Sequence, residues 1–83
     1  MTVRGDATAR VQQAFVDALG IEDDTNFETL AYGKHEKWDS IAHMALVAEL
    51  EDAFGIMLDT EDVVAMSSYP VALEILRRCD VPV

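Results

Sequence analysis

Asp39, Ser40 and His43 bring the three residue types of a hydrolytic triad within five positions. In such a triad a histidine takes the serine proton and an acid orients the histidine, and the geometry needs partners from separate parts of a fold. Here all three fall on one helical segment. Asp39 comes too early to orient a histidine one turn ahead, and no Gly-x-Ser-x-Gly elbow exposes the hydroxyl over a sheet. A chain of 83 residues also leaves little room for a substrate pocket. Hydrolysis is the weakest of the three readings of Ser40.

The other two keep Ser40 at a helix start. Asp39 suits the N-cap, which leaves Ser40 in the first turn, and a serine there usually has no further task. The alternative is a serine that another enzyme modifies. Unpaired N–H groups and the positive end of the helix dipole stabilise a phosphodiester at that position, where it also stays in water.

Metal chemistry finds little support. Asp23, Asp24 and Asn26 lack the glycine and terminal glutamate of a calcium loop. His35 and His43 have no nearby cysteine. The single cysteine, Cys79, excludes a disulfide framework and reads as a packing residue at the end of the last helix. His43 falls at the edge of a core stripe, packed or hydrogen-bonded, and His35 reads as a solvated loop residue.

The elements that position Ser40 follow from spacing. Val11, Ala14, Phe15 and Ala18 predict a first helix over about 7–19, capped by Asp6 or Thr8 and stopped by Gly20. Residues 20–38 predict a long loop with one short helical turn, pinned to the core by Phe27, Leu30, Tyr32 and Trp38. Such loops are uncommon in small domains and tend to be functional. A second helix runs from Asp39-Ser40 to Phe54 with Gly55 as its stop. A short third helix starts at the acidic Asp59-Thr60-Glu61-Asp62 and ends near Met66. A fourth opens at Ser67-Ser68-Tyr69-Pro70, where proline is tolerated, and carries Arg77 and Arg78 in its last turn. Strand signals are absent, and Val81-Pro82-Val83 is expected to fray. The fold class is all-α: one small four-helix bundle over residues 1–83, with a long loop between helices 1 and 2 and a short helix 3. With 7% aromatic residues, its interior is expected to be aliphatic.

The second helix has two apolar stripes. Leu46, Val47, Leu50 and Phe54 form the core stripe, with Leu46, Leu50 and Phe54 four apart. Ile41, Met44, Ala45 and Ala48 fall on another side at i, i+3, i+4 and i+7, with Glu49, Glu51 and Asp52 around them. That second stripe either packs partly under helix 3, near Val63 and Met66, or is a docking surface with an apolar centre, an acidic rim and adaptable Met44 and Met66.

Charge favours docking. Sixteen acids against six bases give a formal net charge of −10, and no Lys or Arg lies between Trp38 and Leu76. That argues against nucleic acid and anionic membrane surfaces, and for partners with basic patches. No targeting segment or membrane-spanning run is visible, so the expectation is a complete, cytoplasmic, soluble chain.

Trp38-Asp39-Ser40-Ile41, Leu46 and Leu50-Glu51-Asp52-Ala53-Phe54-Gly55-Ile56 resemble an acyl carrier protein. The family motif is Asp-Ser-Leu opening helix 2, followed by an acidic helix ending in Glu-x-x-Phe and a glycine. Ile41 replaces the leucine conservatively. Leu58-Asp59 and Glu61-Asp62-Val63 are similar to the family's approach to helix 3, and the likeness covers roughly residues 8–78.

The resemblance implies that Ser40 receives 4′-phosphopantetheine from coenzyme A through a magnesium-dependent phosphopantetheinyl transferase, with Asp39 a recognition residue for that enzyme. The arm's thiol would carry acyl groups as thioesters, and the monomeric chain would catalyse nothing itself. One departure matters: many fatty-acid carriers have a glutamate where this chain has Ala45. The surface near the arm is thereby more apolar, which points to a freestanding carrier in a specialised pathway such as polyketide, lipid or modified-glycan assembly. Its loading and transferring enzymes would have basic or apolar docking patches. The alternatives are an aminoacyl or peptidyl carrier, and an unmodified acidic helical adaptor in which Ser40 only opens a helix.

Overall fold

The computed structural model describes residues 3–83 and has four helices: α1 (Val3–Leu19), α2 (Ser40–Phe54), α3 (Thr60–Ala65) and α4 (Tyr69–Arg78). A 3-10 turn at Phe27–Thr29 interrupts the long segment between α1 and α2. Among the described residues there is no strand, only an isolated antiparallel bridge between Ala31 and Ser68.

Helix α1 starts earlier than its apolar spacing implies. Asp6 lies in its first turn and Thr8 further inside, so neither is the cap. The period marks only the packed stretch, in which Ala7, Val11, Ala14, Phe15 and Leu19 are buried. Val3-Arg4-Gly5-Asp6 has no period of its own and gives no signal. At the other end Gly20 takes a positive φ of 67° and its N–H donates to the Val16 carbonyl at 2.9 Å, closing the helix.

The interior is more aromatic than composition suggests. Phe15, Phe27, Trp38 and Tyr69 are buried together. Phe15 sits at the centre, edge-on to Trp38 with ring centroids 5.4 Å apart and to Tyr69 at 5.3 Å. Few aromatics suffice when they converge on one point, because each removes a large area from water. Leu30, Leu46, Leu50, Ile75 and Leu76 fill the space around them.

This cluster explains how so long a loop holds its shape. Ile21, Phe27, Leu30 and Trp38 are buried, while Tyr32, expected as a fourth anchor, is 44% exposed. Backbone bonds replace its anchoring role. The Tyr32 N–H donates to the Ser67 carbonyl at 2.9 Å, and the Tyr69 N–H donates to the Leu30 carbonyl at 3.2 Å. The loop is thus joined to the entry of α4, where the Ser68 side chain accepts the Val71 N–H as N-cap.

Two further expectations need correction. Phe54 is only half-buried at the end of the core stripe, with the Arg10 guanidinium 5.0 Å above its ring. Arg10 also donates to the Ala53 carbonyl, so the end of α2 is held by a cation as well as by packing. The C-terminus does not fray: Val81 and Val83 are buried. Asp80 takes a left-handed φ of 67°, the Val81 N–H donates to the Leu76 carbonyl at 3.0 Å, and the Arg77 side chain donates to the Val83 carbonyl at 2.8 Å. The turn at Asp80 returns two valines to the core, a reversal that a short apolar tail does not announce.

Candidate functional site

Ser40 is the first residue of α2, and its side chain is exposed. Asp39 before it has extended backbone and caps the helix, its carboxylate accepting the Ala42 N–H at 2.9 Å. Its carbonyl accepts the His43 N–H at 2.9 Å, the first bond of the helical ladder. The capping carboxylate therefore fixes the helix start at Ser40. At the far end Gly55, with φ of 62°, provides the left-handed stop expected from sequence.

The triad letters do not form a triad. His43 is half-buried, its Nδ1 accepts the Trp38 indole N–H at 2.9 Å, and its Nε2 lies 2.8 Å from the Val63 carbonyl. Neither ring nitrogen is left to act on Ser40. The expectation of a packed or hydrogen-bonded His43 holds. His35 is half-buried too, not freely solvated, and its Nδ1 accepts the Lys37 N–H at 3.2 Å. Cys79 packs against the core from a half-buried position.

The second stripe of α2 lies on the surface. Ile41 is 81% exposed and Met44 63%, and Ala45, Ala48, Glu49 and Asp52 are exposed beyond them. It does not pack under α3. The reason is angular: Ala42, Leu46, Val47 and Leu50 already take the buried face of α2, so a stripe on a different side has no neighbour to meet.

Two expected docking residues do not belong to this surface. Met66 is buried at 1% exposure, immediately after α3, and serves the core. Glu51 is half-buried, and its carboxylate accepts the Leu58 N–H at 2.9 Å. It holds the turn that leaves α2, so its carboxylate is engaged within the fold and is not a freely projecting rim charge. Asp59, by contrast, sits before α3 with no side-chain cap bond.

Sequence inspection missed a cleft between α2, α3 and the loop. It has a volume of about 290 Å³ and is lined by Tyr32, His43, Val63, Val64, Met66 and Ser67. His43 places its wall one turn from Ser40. The available signal was the adjacent pair Val63-Val64 on a six-residue helix, since a helix this short buries only a narrow face and neighbours lie about 100° apart around it. Val64 is 78% exposed as a result.

Among the described residues no helix is long and apolar enough to cross a membrane. No family model, curated protein or solved structure matches the chain. The surface thus combines an exposed serine at a capped helix start, an exposed apolar strip beside it and a small cleft one turn away.

Proposed function

We propose that the chain is an acyl carrier protein of the small four-helix type, and that Ser40 bears a 4′-phosphopantetheine arm. One observation carries this most: Ser40 is an exposed first-turn residue, capped by Asp39, with Ile41 and Met44 exposed on the same helix. The residue types fit the group. A hydroxyl in water is reachable by a transferase, and the helix start stabilises the phosphodiester anion. In the loading step Ser40 Oγ would bond to the phosphorus of coenzyme A that carries the pantetheine. Adenosine 3′,5′-bisphosphate would leave, and the hydroxyl proton would pass to a base of the transferase.

The arm supplies a thiol that holds acyl cargo as a thioester. Everything else is the work of this chain's own surface. Asp39 fixes the helix start at which Ser40 stands. Ile41, Met44, Ala45 and Ala48 provide an apolar contact for loading and transferring enzymes, and Glu49 and Asp52 attract their basic patches. Catalysis belongs to those partners. With no glutamate at Ala45, the partners are those of a specialised pathway, and the setting is the cytoplasm, with the carrier acting as a monomer.

The test is modification by a broad-specificity phosphopantetheinyl transferase with coenzyme A and magnesium, read by intact mass. A modified wild type and an unmodified, folded Ser40→Ala support the proposal. An unmodified wild type leaves the acidic adaptor as the reading, with Ser40 a helix-start residue only.

A further inference from the structure

His43 has both ring nitrogens engaged, and the partners belong to different elements. The Trp38 indole N–H donates to Nδ1 from the loop, and Nε2 faces the Val63 carbonyl on α3. An indole nitrogen only donates and a carbonyl oxygen only accepts. The tautomer that satisfies both partners has its lone pair on Nδ1 and its proton on Nε2.

Helix α3 depends on outside support. It has six residues, none of them buried, and its N-cap Asp59 makes no side-chain bond. Helices this short are marginal alone, and their last carbonyls lack internal partners. His43 satisfies one of those carbonyls at 2.8 Å. Val63 packs partly against the core, and the other polar side-chain tie is Arg78 to Asp62 at 3.4 Å, with the arginine largely in water.

We propose that His43 is a proton-sensitive latch: in its neutral form it ties α3 to α2 across the cleft beside Ser40, and protonation at Nδ1 releases α3. The added proton takes the lone pair that receives the Trp38 N–H, so two donors would face each other. Trp38 cannot yield. It is fully buried, edge-on to Phe15 at 5.4 Å and to Tyr32 at 6.3 Å. The half-buried imidazolium turns toward water instead and gives up Val63.

The charged and titratable groups around it are few. On the loop, the Tyr32 ring is edge-on at 5.2 Å, and His35 accepts from Lys37. On α2, Asp39 lies one turn earlier with its carboxylate engaged by Ala42. On α3, Asp62 is paired with Arg78, and Glu61 is exposed. None of these groups is bonded to the ring, whereas the Trp38 N–H meets Nδ1 directly, so that contact decides for release. On the carrier reading, acid would widen the cleft next to the arm. The latch itself needs no cargo.

The experiment is residue-resolved amide hydrogen exchange on the 83-residue chain, between about pH 8 and pH 5, where histidines titrate. Rates are corrected for intrinsic exchange, and α1 serves as the internal reference. Protection of the Met66 amide, which donates to the Asp62 carbonyl, should fall about tenfold relative to α1 on acidification, the scale of one lost hydrogen bond. His43→Gln has an amide oxygen to accept from Trp38 and an N–H to donate to Val63, with no titratable proton. It should keep that protection at both ends of the range. A wild-type profile that does not change with pH, or a His43→Gln profile that falls with it, overturns the latch. Imidazole nitrogen shifts of the wild type add a reading that needs no variant: the proton must sit on Nε2 at neutral pH, and finding it on Nδ1 overturns the proposal. Phosphopantetheine transfer to Ser40 can fail without altering any of these outcomes.

Discussion

The Glu51 carboxylate accepts the Leu58 N–H at 2.9 Å, spanning the turn that leaves α2. An acid that helical periodicity places on a docking rim is thereby a structural residue. Glu51→Ala leaves a part-buried N–H unsatisfied and should lower stability by about 1–3 kcal/mol, as lost bonds to charged groups do. Asp52→Ala, at an exposed neighbour, should stay within about 0.5 kcal/mol of wild type. Urea denaturation of both variants checks the contrast, and equal midpoints would remove the turn-holding role of Glu51.

The core has a hierarchy along α2. Leu46 and Leu50 are fully buried, and their replacement by alanine should cost about 2–5 kcal/mol each. In a chain this small that is a large share of total stability. Phe54 is half-buried under the Arg10 guanidinium, so Phe54→Ala should cost less than either leucine. Finding Phe54→Ala the most damaging of the three would mean that the end of α2, not its middle, organises the core.

The elements were legible in the sequence wherever a local rule acts alone. Asp39 before Ser40 and Gly55 after Phe54 mark both ends of α2, because capping and a left-handed stop depend on one or two residues. The apolar strip could be read from spacing as well. What could not be read were features that need two distant segments. The burial of Met66, the Glu51 bond to Leu58 and the cleft walled by His43 and Val64 all depend on where α3 lies against α2. The return of Val81 and Val83 to the core depends on a single left-handed residue, Asp80, of a type that only sometimes adopts that conformation.

Salt should stabilise the fold. The stretch from Asp39 to Glu74 holds eight acids and no Lys or Arg, and Asp62 with Arg78 is the one ion pair among the described residues. Screening acts over about 8–10 Å near physiological ionic strength, enough to weaken repulsion between α2 and α3. The melting temperature should rise from low to moderate salt, measured by circular dichroism. A flat response would mean that the acids are too dispersed to repel.

Partner choice should divide between strip and rim. Ala45 is exposed in the strip, so Ala45→Glu should leave folding nearly unchanged while weakening transfer with cognate enzymes, because a carboxylate would lose water at an apolar contact. Asp52→Lys should slow association and reduce its salt dependence. Stopped-flow binding to a cognate enzyme separates the two. If Ala45→Glu leaves binding intact and Asp52→Lys abolishes it, the strip plays no part in recognition.

The central claim is that Ser40 is a modification site, and intact mass after treatment with coenzyme A, magnesium and a broad-specificity phosphopantetheinyl transferase tests it most directly. The account predicts one added phosphopantetheine on the wild type and none on a folded Ser40→Ala protein. A wild-type mass that stays unchanged, beside a control carrier modified by the same enzyme, would contradict it.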